Sequence, residues 1–337
     1  MSDQAYKESG VDIDLAAQVK RRIKDIVAPT HGREVLDGVG GFGAMYQLSS
    51  YREPVLVSSV DGVGTKLKLC ALMDRYDGIG EDLVNACVND VIVCGAKPLF
   101  FLDYISVGKL EPTFIEELMQ GMSRACQEVS CALIGGETAQ MPGLYDEGEF
   151  DLAGFVLGVV ERSEIFDPIA VQRGDVLLGI PSNGLHTNGY SLVRSVLRLE
   201  EDASVLGQFH TRLGQTLGAA LLKPHRSYYQ LVRQAFPLVK GMAHITGGGL
   251  MENVPRMLPD HLGARFDTSR WNVPPIFDLL REKGDISREE MYRVFNMGLG
   301  LVIVCKQSRI EEVAAVIPES RVVGEVVDAQ RKRCIIL

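Results

Sequence analysis

Between residues 61 and 138, three short segments carry residue types suited to holding a nucleotide: Asp61-Gly62-Val63-Gly64-Thr65-Lys66, Val88-Asn89-Asp90 and Gly135-Gly136-Glu137-Thr138. Their glycines let backbone N–H groups approach phosphate oxygens with no Cβ in the way. The carboxylates of Asp61, Asp90 and Glu137 are hard oxygen ligands suited to a Mg²⁺ that bridges such phosphates. Lys66 would neutralise phosphate charge. The first segment superficially resembles a P-loop, but Thr65 precedes Lys66, so the G-x-x-x-x-G-K-[ST] spacing fails. The plainer alternative is three tight turns with a solvated lysine. Asp90 falls inside an apolar helical run, where an unpartnered carboxylate would cost several kcal/mol; a metal ion, an N–H or an arginine would remove that cost.

A second group of polar residues lies in Pro181-Ser182-Asn183-Gly184-Leu185-His186-Thr187-Asn188-Gly189. Ser182, Asn183, Thr187 and Asn188 precede a helical run whose N-terminus favours an anion, so the loop suits a substrate phosphate, with Gly247 and Gly248 assigned to the same substrate. His186 reads as an acid or base, a phosphate ligand or a loop hydrogen-bonder. His244 reads as a partner for backbone. No Ser-His-Asp or Cys-His arrangement is legible.

The elements that must position these residues follow from periodicity. Apolar residues from Val11 to Ile26 have helical spacing, and Pro29 ends that run. Gly38-Val39-Gly40-Gly41-Phe42-Gly43 matches G-x-G-x-x-G. Because no strand is expected to run into it and no amphipathic helix follows, it reads as a flexible flap and not a dinucleotide turn. Strands are expected at Val55–Val60, Leu99–Val107, Cys131–Ile134 and Phe150–Val160, and helices at Leu83–Val93 and Pro112–Val129. The first domain would end near Ile165, giving residues 1–165 and 166–337. The second holds a strand at Val176–Ile180, a helix at Tyr190–Leu199, another after Gly247-Gly248-Gly249, one at Trp271–Leu280 and a strand at Leu299–Cys305. Mixed strands and helices without a strict βαβ rhythm give an α+β class in both halves.

The 337 residues are 46% hydrophobic and 23% charged, enough for a large core and two domains. A formal net charge of −9 disfavours non-specific binding to nucleic acid or an anionic membrane and favours small-molecule work. Seven scattered cysteines match neither a disulfide framework nor a zinc site and suit a reducing cytoplasm. Met1–Gly10 lacks a signal-peptide core and no apolar run approaches the ~20 residues of a membrane span, so a soluble protein is expected. The final Cys334-Ile335-Ile336-Leu337 fits a prenylation pattern but reads better as a terminal strand.

At these residues the chain resembles the phosphoribosylformylglycinamidine cyclo-ligases, or aminoimidazole ribonucleotide synthetases, nearly end to end. The resemblance rests on Gly10-Val11-Asp12-Ile13-Asp14, Gly40–Gly43, Asp61–Leu67, Val88-Asn89-Asp90, Pro98–Tyr104, Gly135–Gly143, His186–Leu192 and Met291–Asn296. It implies a homodimer whose N-terminal mixed sheets pair into a β-barrel, with a C-terminal α+β domain on each side. It also implies that ATP phosphorylates the formyl amide oxygen of formylglycinamidine ribonucleotide, after which the amidine nitrogen attacks, phosphate leaves and the imidazole ring closes. By the same resemblance Asp61, Asp90 and Glu137 would hold Mg²⁺-ATP, Lys24 would lie near ATP, and Gly40, Gly41 and Gly43 would close over phosphates. His186 and Asn188 would face the ribonucleotide. Selenophosphate synthetases need a reactive cysteine or selenocysteine near the N-terminus, and none precedes Cys70. Hydrogenase-maturation relatives carry a reactive C-terminal cysteine, whereas three apolar residues follow Cys334. Thiamine-phosphate kinases are disfavoured by Met141-Pro142-Gly143 and His186–Tyr190, and a silent nucleotide-binding subunit by the intact acidic set.

Overall fold

The structure is a computed structural model that describes Gly10 and residues 12–337. Val11, the expected start of the first helix, and residues 1–9 lie outside the described residues. The chain forms two compact units, one of Lys97–Glu161 with the chain up to Val91, the other of Ile92–Ala96 with Arg162–Leu337.

In the first unit, α1 (Ile13–Val27) starts where Asp12 accepts the Leu15 N–H at 3.0 Å, a side-chain N-cap. It buries Val19, Ile23 and Val27, one helical face at i, i+4 and i+8. That face meets α4 (Pro112–Glu128), and Ser123 donates to the Ile26 carbonyl at 2.8 Å. The glycine-rich segment departs from expectation. A short strand, β1 (Val35–Asp37), does run into it and pairs antiparallel with β2 (Met45–Tyr46). The glycines therefore form an exposed hairpin connection, with Phe42 fully exposed. No helix follows, so the segment is still not a dinucleotide turn.

The main sheet of this unit joins β3 (Pro54–Gly62), β4 (Lys97–Val107), β5 (Ala132–Gln140) and β6 (Phe150–Glu161) in the order β3-β6-β4-β5. Pairing is antiparallel for β3 with β6 and for β6 with β4, and parallel for β4 with β5. Between these strands come α2 (Lys66–Met73) and α3 (Ile79–Ile92), the latter beginning four residues before the expected Leu83. Gly80 explains the extension. A Cβ there would lie 2.2 Å from the Leu118 carbonyl, so the first turn of α3 packs directly on α4. One face of the sheet carries the helices and the core. On the other, Leu56, Val60 and Tyr104 are exposed.

The second unit is built on a six-stranded sheet. Its strands are β7 (Val176–Pro181), β8 (Gly241–His244), β9 (Leu262–Phe266), β10 (Leu299–Cys305), β11 (Arg321–Asp328) and β12 (Cys334–Ile336), in the order β8-β10-β7-β11-β9-β12. Only β9 and β12 run parallel. Every residue of β10 is buried, as expected for a central strand read as one continuous apolar run. Cys334 is buried within β12 beside Ala264, a strand position and not a presented thiol. The helices include α5 (Tyr190–Leu197), α6 (Gly249–Asn253), α7 (Pro275–Gly284) and α8 (Arg288–Val294); Trp271 precedes α7 instead of starting it. No helix is long and apolar enough to cross a membrane among the described residues.

Candidate functional site

Asp61 stands at the C-terminal end of β3, and Asp90 in the last turn of α3. Both acids bear on Cys87, one helical turn before Asp90. Burial first, then the charge of Asp61 and, less strongly, that of Asp90 push this thiol up. Ser59, two residues before Asp61 and on the same side of the strand, donates to Asp90 Oδ2 at 3.3 Å. Asp61 Oδ1 accepts the Gly62 N–H at 2.8 Å. Beyond it, Val63 is buried and anchors the loop, while Gly64 and Thr65 are exposed. Gly64 has φ +66° and open space where a Cβ would sit. Two carboxylates beside an unobstructed backbone turn fit the oxygen-rich chemistry of Mg²⁺ and phosphate.

The third acid is placed differently from expectation. Gly135-Gly136-Glu137-Thr138 lies within β5 and is not a turn after it. Asp61 is opposite Gly154, Gly154 opposite Asp103, and Asp103 opposite Gly136, so these four share one row of the sheet. Glu137 is one step along, beside Tyr104. Alternation therefore sends its side chain to the opposite face from Asp61 and Asp103. Gly136 is required by packing, since a Cβ would lie 2.3 Å from Asp103 Oδ1.

Asp103 was missed as a functional candidate, although the signal existed: it interrupts Leu99, Phe101, Ile105 and Val107, the inward-facing alternation of β4. Burial lifts its carboxyl from 3.8 to about 7; its own backbone N–H opposes the rise and the Glu137 charge adds to it. The folded chain thus holds a proton that the unfolded chain releases near 3.8. The stability this group contributes is present below about pH 4 and is lost as pH rises towards about 7. Asp103→Asn keeps the shape and removes the titration. In urea unfolding without Mg²⁺, the wild type should lose on the order of 3 kcal/mol more than the variant between about pH 4 and pH 8. Parallel pH profiles would refute this.

Lys66 requires a correction. Its ammonium is not presented to a phosphate: the side chain is fully buried at the start of α2, with Nζ 2.8 and 2.7 Å from the two carboxylate oxygens of Asp82 in the first turn of α3. Lys24 is exposed on the last turn of α1.

In the second unit, the loop before α5 spends several expected substrate donors on the protein itself. Ser182 is buried and donates to Asn296 Oδ1 at 2.9 Å, and Asn183 donates to the Pro224 carbonyl at 2.8 Å. His186 is 1% exposed, with φ +64°, and its ring stacks on that of His225 at 4.0 Å and 21°. Ser182 and His186 are corrected from open substrate donors to groups that fasten the loop, whereas Asn183 stays exposed. Gly300 makes room for that stack, because a Cβ there would lie 1.8 Å from Tyr228 Oη and 2.7 Å from His186 Cε1. Thr187 and Asn188 stay half-exposed, and Gly247 adjoins Asn188, whose Oδ1 would lie 3.2 Å from a Cβ at 247. Gly248 adopts φ +88° ahead of α6. His244 is not a backbone partner alone: its Nε2 lies 2.9 Å from His225 Nε2. His225, which follows Pro224 in a stretch with no periodic signal, was not anticipated.

Both units match known families. Residues 43–160 match the model described as AIR synthase related protein, N-terminal domain, and residues 172–336 its C-terminal domain. The phosphoribosylformylglycinamidine cyclo-ligase of Geobacillus kaustophilus is 54% identical over 305 residues, covering 89% of this chain and 88% of that protein. The chain belongs to the phosphoribosylformylglycinamidine cyclo-ligase family. The cyclo-ligase of Bifidobacterium animalis subsp. lactis is 50% identical, with 92% of this chain and 91% of that one covered. Among solved structures, the hydrogenase maturation protein HypE in complex with ATP superposes with a TM-score of 0.68 at 15% identity, over 94% of this chain and 90% of that one. At that identity the likeness carries the fold and nothing about the substrate.

Proposed function

We propose that this chain is the ATP-dependent ligase that closes formylglycinamidine ribonucleotide to 5-aminoimidazole ribonucleotide, releasing ADP and phosphate in purine biosynthesis. The observation that carries the reading is family membership at about half identity over nearly the whole chain, with Asp90 hydrogen-bonded to Ser59, two residues before Asp61 on the same strand face. An amide oxygen is a poor leaving group and its phosphate ester a good one, so activation must precede attack by the amidine nitrogen. Asp61 and Asp90 would hold Mg²⁺, which would disperse charge on the transferring phosphoryl group. The exposed Gly64-Thr65 turn and the hairpin glycines Gly40, Gly41 and Gly43 would give phosphate oxygens backbone N–H groups, and Lys24 would add a positive charge near them. Gly135, Gly136 and Thr138 are assigned to the nucleotide; Glu137, on the face opposite Asp61, is not assigned to the same Mg²⁺. Thr187, Asn188, Gly247 and Gly248 would hold the ribonucleotide.

The apolar outer face at Leu56, Val60 and Tyr104 supports a homodimer in which the first-unit sheets of two copies pair into a barrel. A cytoplasmic location is part of the same proposal, supported by the pathway and by seven cysteines, none in a disulfide, that suit a reducing compartment. The deciding experiment measures phosphate release from Mg²⁺-ATP with and without formylglycinamidine ribonucleotide while following the aminoimidazole product. Stoichiometric phosphate and product are expected. ATP binding without substrate-stimulated release would overturn the reading.

A further inference from the structure

One ring nitrogen from each of His186, His225 and His244 lies within 4.8 Å of the other two, and all three side chains are buried. Their arrangement is not that of ligands converging on one cation. The His225 and His244 Nε2 atoms are 2.9 Å apart, a hydrogen-bond distance, whereas two imidazole nitrogens about 2.0–2.1 Å from one tetrahedral zinc ion sit about 3.4 Å apart. His186 and His225 lie face to face instead of meeting at their nitrogens.

His225 has both ring nitrogens engaged: Nδ1 lies 3.2 Å from Thr187 Oγ1, and Nε2 meets His244. An Nε2 to Nε2 contact admits one proton between neutral rings, so the pair has two settings. With the proton on His225 Nε2, His225 Nδ1 accepts from the Thr187 hydroxyl. With it on His244 Nε2, His225 carries Nδ1–H and donates to Thr187 Oγ1. The Thr187 proton is then turned away from His225, towards whatever the loop binds. The segment bearing His225 is tied to the same loop on both sides of the histidine, by Asn183 to the Pro224 carbonyl before it and by Arg226 and Tyr228 Oη to the Pro181 carbonyl, each at 2.9 Å, after it.

We propose that His225 is a positioning residue for the ribonucleotide site, relaying the protonation of His244 to the Thr187 hydroxyl and so setting whether Thr187 donates to or accepts from the substrate. This rests on the assignment of Thr187 and Asn188 to the ribonucleotide, and it is tested in two parts that fail separately. The first uses the ligand-free full chain. Long-range ¹H–¹⁵N spectra of the imidazoles should find one of the two Nε2 atoms protonated and the other bare. Both protonated would overturn the relay; both bare, with stoichiometric zinc retained on purification and lost in His225→Ala, would replace it with a metal centre.

The second part is kinetic. Asparagine places its amide where His225 Nδ1 meets Thr187, and glutamine places its amide where Nε2 meets His244. His225→Gln should therefore raise KM for the ribonucleotide about tenfold while KM for ATP and kcat stay within about twofold. His225→Asn should recover most of that loss. Equal effects of the two variants on both Michaelis constants, in proteins with matching thermal unfolding, would overturn the relay. A wild type that does not turn over the ribonucleotide would refute the proposed function alone, because the spectra still decide the relay.

Discussion

Asp61→Asn should lower substrate-dependent phosphate release roughly 10²–10³-fold, the scale seen when a single preorganised electrostatic group is removed from a transition state. Asparagine retains the shape and the oxygen that accepts the Gly62 N–H at 2.8 Å, so only the negative charge is removed. Thermal unfolding of the ligand-free variant should match the wild type within about 0.5 kcal/mol, as for a substitution that leaves burial and local bonds intact. Asp90→Asn should act in the same direction, because Asp90 is tied to Ser59, two residues before Asp61 on the same strand face, and the two acids are proposed to hold the same Mg²⁺. The stabilisation by Mg²⁺-ATP, read as a shift in melting temperature, should shrink in both variants. A variant that turns over normally would remove Asp61 from the nucleotide site, and one that loses activity only together with stability would make it a structural acid.

How much of this was legible in the sequence depends on how local the signal is. The β10 run Leu299–Cys305 and the α4 run from Pro112 are self-contained patterns, and the structure has them within a residue. Gly241–His244 and Leu262–Phe266 are strands for another reason. They hold few β-branched residues, and their state is set by ladders to β10 and β11 that sequence order does not reveal. The same limit applies within the site. Asp61 stands out as an acid at the end of an apolar strand, and Asp90 as an acid inside an apolar helix, each anomalous by itself. The placement of Glu137 depends on a bulge at Ile134 of β5, opposite Phe101 and Leu102, that sets which face each later β5 residue takes. Lys66 and Asp82 are 16 positions apart and each looks solvated alone; their burial follows from how α2 and α3 are brought together. His225 had no motif to mark it, and its function in the loop is wholly tertiary.

The Lys66–Asp82 pair sets the second large effect. Removing one member leaves the other buried and uncompensated, and that costs about 3–5 kcal/mol. Lys66→Met should therefore lower the melting temperature by roughly 10 °C at about 2–4 °C per kcal/mol for a unit of this size. The charge-free double variant Lys66→Met/Asp82→Leu replaces the pair with apolar side chains of similar volume and should regain most of the loss, since such replacements of buried pairs are commonly neutral or stabilising. The comparison also separates packing from chemistry. Lys66 leads into α2 directly after the exposed Gly64-Thr65 turn, so its ion pair fixes the exit of the loop that Asp61 enters. If its contribution is to hold that turn, the double variant should recover phosphate release along with stability, to within about tenfold of wild type. A Lys66→Met protein that melts like the wild type but releases no phosphate would overturn this assignment. It would return the lysine to the phosphates, with its buried position describing only the ligand-free chain.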